Sequence, residues 1–193
     1  MAATSKIIGT VAKPEKPKDI GRFITSTEGL KIVSVAQGWK DTPYAAKGTK
    51  YAGGNPMKKV GADCSGSVWA IYKEAGFSYG HYFNTVKFVN LVASDPNFIA
   101  AWLQKMAGTE TNFVKGQHFF KKVLVPQPGD IGWWEGHMAI YDVNAGKTEK
   151  GQVANLWSAS QPGGRDFGPA HTNFYDNKHG AGAVTWYRYW KAP

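Results

Sequence analysis

The sequence predicts an α+β fold in which helices come first and a small antiparallel sheet then packs against the helix that carries the chain's single cysteine. Three observations lead there. Apolar residues recur every three or four positions, first at Leu30, Ile32, Val33, Ala36 and Trp39, then at Cys64, Val68, Ile71, Tyr72 and Ala75. After Pro126 the period becomes two, with apolar stretches at about 131–134, 137–143, 153–160 and 182–190 between glycine-rich turns. Helices followed by strands make an α+β domain, because the apolar face of the sheet needs the helices to cover it.

Residues 1–22, with Lys13-Pro14 and Lys16-Pro17, read as an extended N-terminal arm, since lysine and proline without apolar periodicity build no core. Residues 23–193 read as a single domain. Its first helix starts at Thr25, whose spacing to Glu28 is that of a capping box, and ends near Asp41, ahead of Pro43. Residues 42–62 are rich in glycine and turn formers and predict an ordered loop. The second helix follows Asp63, a favoured N-cap, and stops at Gly76. Residues 84–106 predict a helical insertion of two helices, the second opening at Asp95-Pro96 with Phe98, Ile99, Trp102, Leu103 and Met106 on one face.

Hydrophobic residues make up 42% of the chain and charged residues only 19%, which excludes a disordered chain. Lysine and arginine number 23 against 14 acidic residues, a net charge of +9 that suits a polyanionic partner: nucleic acid, anionic membrane or cell wall. A lone cysteine excludes an intramolecular disulfide and a multi-cysteine zinc site, and we expect neither metal nor cofactor. The first residues lack the apolar run of a secretory signal, and no later stretch is long enough to span a bilayer. The expectation is a monomer made in the cytoplasm without a secretory signal and without a membrane span.

Cys64 opens its helix, where unpaired backbone N–H groups and the positive dipole end lower the pKa of a thiol, so a poised thiolate is expected. Ser65 and Gly66 leave room for a substrate backbone, and the Cys64 amide is a natural oxyanion donor. Of five histidines, His81, His118, His137, His171 and His179, only His137 sits in a strand-like setting. It follows the turn at Pro128-Gly129-Asp130, with His137, Ala139 and Tyr141 on one face of the strand and Met138 and Ile140 on the other.

Asp63-Cys64-Ser65-Gly66, Pro128-Gly129-Asp130 and His137-Met138-Ala139-Ile140-Tyr141, in that order, resemble the NlpC-type cell-wall peptidases, from about residue 28 to 190. That resemblance implies a papain-like core, with Cys64 as nucleophile and His137 as general base for hydrolysis of amide bonds in peptidoglycan stem peptides or crosslinks. It also implies a tyrosine before the cysteine that helps hold substrate. Thr42-Pro43-Tyr44 matches the letters and is preferred, whereas Tyr51 with Gly53-Gly54 matches the spacing. The family's third polar residue falls on Ser158 in the stretch NLWSAS, with Asn155 and His171 as substitutes. A serine there carries no charge to stabilise an imidazolium, so a Cys–His dyad is the working expectation.

The implied partner is peptidoglycan, not nucleic acid, and the compact chain looks like an amidase effector delivered by a type VI secretion system into the periplasm or cell wall of a target bacterium. Such an effector has a cognate immunity protein. A phage lysis or tail enzyme is the nearest rival, a Cys–His lipid or amide acyltransferase a further one, and a glycan-binding module the non-enzymatic alternative.

Overall fold

The computed structural model describes residues 22–79, 82, 84–88, 119–160, 165–178 and 183–191. Thr25 and Glu28 form the predicted capping box: Thr25 Oγ1 accepts from the Glu28 amide at 3.2 Å and Glu28 Oε2 from the Thr25 amide at 2.8 Å. Helix α1 (Ser26–Gly38) follows and buries Gly29, Ile32, Val33 and Ala36. Its C-cap, Trp39, is buried and donates its indole N–H to Glu74, the last residue of α2 (Cys64–Glu74). Helix α2 is capped by Asp63, whose Oδ1 accepts from the Gly66 amide at 2.6 Å, and Gly76 just beyond its end takes φ +85°.

The remaining elements are β1 (Arg22–Phe23), α3 (Thr85–Phe88), β2 (Phe119–Val123), β3 (Ile131–Trp134), β4 (His137–Lys147), β5 (Val153–Ser160), β6 (Arg165–Ala170), α4 (Thr172–Lys178) and β7 (Thr185–Lys191). All strand pairings are antiparallel: β7 with β1, β2 and β3, then β3 with β4, β4 with β5, and β5 with β6. The architecture is α+β.

The four stretches of period two are β3, β4, β5 and β7, with β4 running four residues beyond 143. Three strands and one helix carry no such pattern. β6 reads RDFGPA, its single fully buried side chain being Phe167, and α4 reads TNFYDNK, with Tyr175 its buried anchor. Arg22, assigned to the arm, pairs with Lys191 instead, because Phe23 stacks edge-on against Trp190. The rest of the arm lies outside the described residues, as does the second insertion helix; of the insertion, α3 is described and is tied to the sheet by Trp133 Nε1 donating to the Thr85 carbonyl at 2.8 Å.

Alternation along β4 splits the sheet into two buried faces. Met138 and Ile140 join Ile131, Trp157, Ala159 and Phe167 in the main core against α1 and α2, packed with Val68, Ile71 and Tyr72. Ala139 joins Trp134, Leu156 and Tyr175 in a smaller cluster under α4.

The turn before β3 is where helices and sheet lock together. Gly129 takes φ +88°, and the chain passes so close to α1 that a Cβ on Gly29 would lie 1.9 Å from the Pro128 carbonyl oxygen. Gly29→Ala should therefore cost about 2 kcal/mol or more in urea unfolding, since the clash is with backbone that cannot swing aside. Gly38→Ala, whose methyl meets only the flexible end of Lys58, should stay within about 1 kcal/mol of wild type.

Candidate active site

Cys64 is the first residue of α2, and its sulfur meets the sheet at the start of β4: the Met138 amide donates to it, and the Cys64 and Ser65 amides also face it. His137 immediately precedes Met138, the residue whose amide faces the thiol. Its ring leaves the sheet on the α4 side, where Nε2 lies 2.8 Å from Ser158 Oγ. β3 and β4 set this position through Trp134 opposite His137, and β4 and β5 through Ile140 opposite Trp157. His137 and Ser158 are both buried.

Two aromatic neighbours flank the histidine. Tyr175 of α4 stacks on the imidazole, with ring centroids 4.0 Å apart and planes 17° from parallel, and its hydroxyl donates to Ser158 Oγ at 3.0 Å. Trp134 lies 5.8 Å away on a tilt and donates its indole N–H to Asp176, which fastens α4 beneath the sheet. The short polar sequence of α4 gives no sign of this role, so Tyr175 escapes a reading from sequence.

Asn155 and His171 serve elsewhere. Asn155 exchanges hydrogen bonds with Thr172, and His171 Nδ1 accepts from the Asn173 amide, so both organise the start of α4. Among the three residues weighed for the third position, Ser158 is the one bonded to His137.

Around the thiol, Tyr44 is half-buried and joined to Ala62 by a parallel bridge. Burial pushes its hydroxyl up to about 12, and negative charge on Cys64, Asp63 and Tyr82 adds to the rise, which puts Tyr44 in their company. Tyr51 instead lies against Gly61 with Lys50 over its ring. Ser65 is committed to the helix cap: its Oγ donates to Asp63 Oδ1 at 3.2 Å and lies 2.7 Å from the Tyr82 hydroxyl. Tyr82 is a further site residue that the sequence did not single out. Its ring rests on Gly53 and Gly54, and burial pushes its hydroxyl up to about 12.

No family model, curated protein or solved structure matches this chain. Among the described residues no cluster of three or more histidine, cysteine, aspartate or glutamate side chains is arranged to hold a metal ion, and no helix is long and apolar enough to cross a membrane.

The expected lowering of the thiol's pKa is overturned. Burial pushes Cys64 up to about 12 and Asp63 adds to the rise, against which the Met138, Ser65 and Cys64 amides pull only partly. Removing the sulfur from water costs more than the helix end returns, so the resting site holds a thiol. A cavity of about 410 Å³ opens on the α4 side, lined by Ser158, Tyr175, Lys40, Lys147, Arg165 and Phe174 among others.

The acidity of Cys64 is open to direct measurement. Below its raised value the thiolate fraction grows about tenfold per pH unit, so alkylation by iodoacetamide should climb without levelling between pH 7 and 10. An exposed cysteine levels off above about pH 9. A plateau already reached below pH 8 would mean that a thiolate is present at rest.

Proposed function

We propose that the chain is a cysteine amidase or endopeptidase that cleaves amide bonds in peptidoglycan stem peptides or crosslinks, built on a papain-like NlpC-type core and deployed as an antibacterial effector outside the cytoplasm. The observation that carries the reading is the convergence of Cys64, His137 and Ser158, three residues from separate motifs, at the junction of α2 with β4 and β5. A net charge of +9 suits an anionic wall.

With Nε2 engaged by Ser158, His137 works through Nδ1. That nitrogen takes the Sγ proton as sulfur bonds to the amide carbon and the carbonyl electrons move to oxygen. The Cys64 amide, at the first position of α2, receives the oxyanion, and Tyr44, whose hydroxyl feels charge on Cys64, helps hold the substrate. Collapse breaks the C–N bond, and the imidazolium gives its proton to the leaving nitrogen. Water then donates a proton to His137 and its oxygen to the acyl carbon, which releases the acid and restores the thiol. The thiol at rest fits this order, because deprotonation coupled to attack needs no standing thiolate.

Mass spectrometry of purified peptidoglycan after digestion tests the activity, and new free amino and carboxyl ends in the stem peptides are the expected products. Cys64→Ala should abolish them with folding intact. His137→Ala should lose roughly 10²–10⁴-fold or more. In bacteria, the wild type fused to a secretory signal should lyse or round the cells, whereas the unexported wild type and exported Cys64→Ala should be harmless. Survival with the exported wild type at confirmed levels, or toxicity of the unexported form, would count against a wall substrate.

A further inference from the structure

Ser158 is the unusual member of the site, because its hydroxyl brings no charge to balance an imidazolium and on its own leaves the ring's tautomer open. A hydroxyl offers one proton and two acceptor lone pairs. Tyr175 donates into one lone pair at 3.0 Å, and the Ala159 carbonyl stands 3.4 Å away to receive the serine proton. With the serine proton on the Ala159 side, what Ser158 presents to His137 Nε2 at 2.8 Å is its second lone pair. In that arrangement the ring nitrogen carries the proton.

We propose that Tyr175 is a positioning residue that holds His137 in the Nε2–H tautomer through Ser158, so that Nδ1 keeps the basic lone pair, and that its ring face stabilises the imidazolium formed during proton transfer. The second half rests on the stack. At 4.0 Å and 17° the negative face of the tyrosine lies over the imidazole, and attraction to that face strengthens when the ring becomes a cation. The charge that an aspartate would supply comes here from an aromatic face and a borrowed hydroxyl.

The placement of Tyr175 is itself held. Asn155 exchanges hydrogen bonds with Thr172 at the start of α4, and Trp134 binds Asp176 one residue beyond Tyr175. Tyr175 is 1% exposed between them. Removing its hydroxyl alone therefore leaves the helix anchored, and Tyr175→Phe separates the hydroxyl from the ring.

The inference builds on His137 as the base of Cys64, so its test is read without substrate. Nitrogen-15 spectra of ring-labelled histidine, with the His137 signals assigned by His137→Asn, report the tautomer of the neutral ring. The wild type should show Nε2–H, and Tyr175→Phe and Ser158→Ala should both show Nδ1–H appearing. Tyr175→Leu, which also removes the ring, should lower the midpoint of the His137 titration by about half a pH unit relative to Tyr175→Phe. On peptidoglycan, Tyr175→Phe should reduce kcat about ten-fold with KM nearly unchanged. Nδ1–H in the wild type, or an unchanged tautomer in folded Tyr175→Phe, overturns the proposal even if the wall is cleaved. Absence of wall cleavage with the tautomer shift intact overturns the amidase reading and leaves this one standing.

Discussion

The site depends on one tight turn, Pro128 to Asp130, and on the buried ion pair that fixes it. Asp130 is fully buried and meets Arg188 of β7 through both oxygens, at 3.0 Å from Nε and 2.9 Å from Nη2, while the Gln127 amide donates to it at 2.8 Å. Burial pushes the Asp130 carboxyl up by more than Arg188 pulls it back. The pair is thus a poor source of stability and a good source of order, because either charge left alone in that place would cost several kcal/mol. The order passes straight to β4. The Gly129 amide donates to the Tyr141 carbonyl and the Tyr141 amide to the Asp130 carbonyl, which sets the register that brings Trp134 opposite His137. A slip of one residue would carry His137 away from Ser158 and put Met138 in its place.

From that register follows a histidine set among neutral groups, Ser158, Tyr175 and Trp134. The thiol is protonated, the third residue is a serine, and the rings around the histidine are tyrosine and tryptophan. Neutral groups are what a water-poor environment accepts most readily. In the proposed reaction the histidine is charged only in passing, as an imidazolium beside an oxyanion. Fixed dipoles serve such a pair better than they serve a permanent thiolate, since they are already oriented when the charge develops.

The sequence made legible whatever was local. Thr25, Asp63 and Gly76 bound their helices by capping chemistry, and alternation along β3, β4 and β5 told which side of the sheet His137 would leave. Cys64 and His137 stood in short strings whose letters carry the resemblance, and Ser158 stood where the family's third polar residue falls although the letters there depart from its pattern. Tyr175 and Tyr82 were silent because what gives them a place is closure over distance. Tyr175 reaches Ser158 only after β6 has turned back along β5, and Tyr82 reaches Ser65 across the Gly53-Gly54 loop. The acidity of Cys64 was misjudged for the same reason: the helix end is visible in Asp63-Cys64, but the depth of burial belongs to β4, Tyr44 and Tyr82, which come from elsewhere in the chain.

Asp63 shows how closely those contributions are joined. One oxygen caps α2 at the Gly66 amide, and the other draws in the Gly53 amide at 2.6 Å, so the loop is pinned across the helix end at the place where the sulfur lies. Gly66 is required there, since a Cβ would come within 2.6 Å of the Gly53 carbonyl oxygen. The same loop supports Tyr82, which closes on Ser65 and adds to the burial around Cys64. A single carboxylate therefore starts the helix of Cys64, walls its thiol from water and opposes the thiol's ionisation by charge. Access to the sulfur and acidity of the sulfur become one variable: whatever moves the Gly53 loop from Asp63 both opens the thiol to attack and removes the burial that keeps its proton in place.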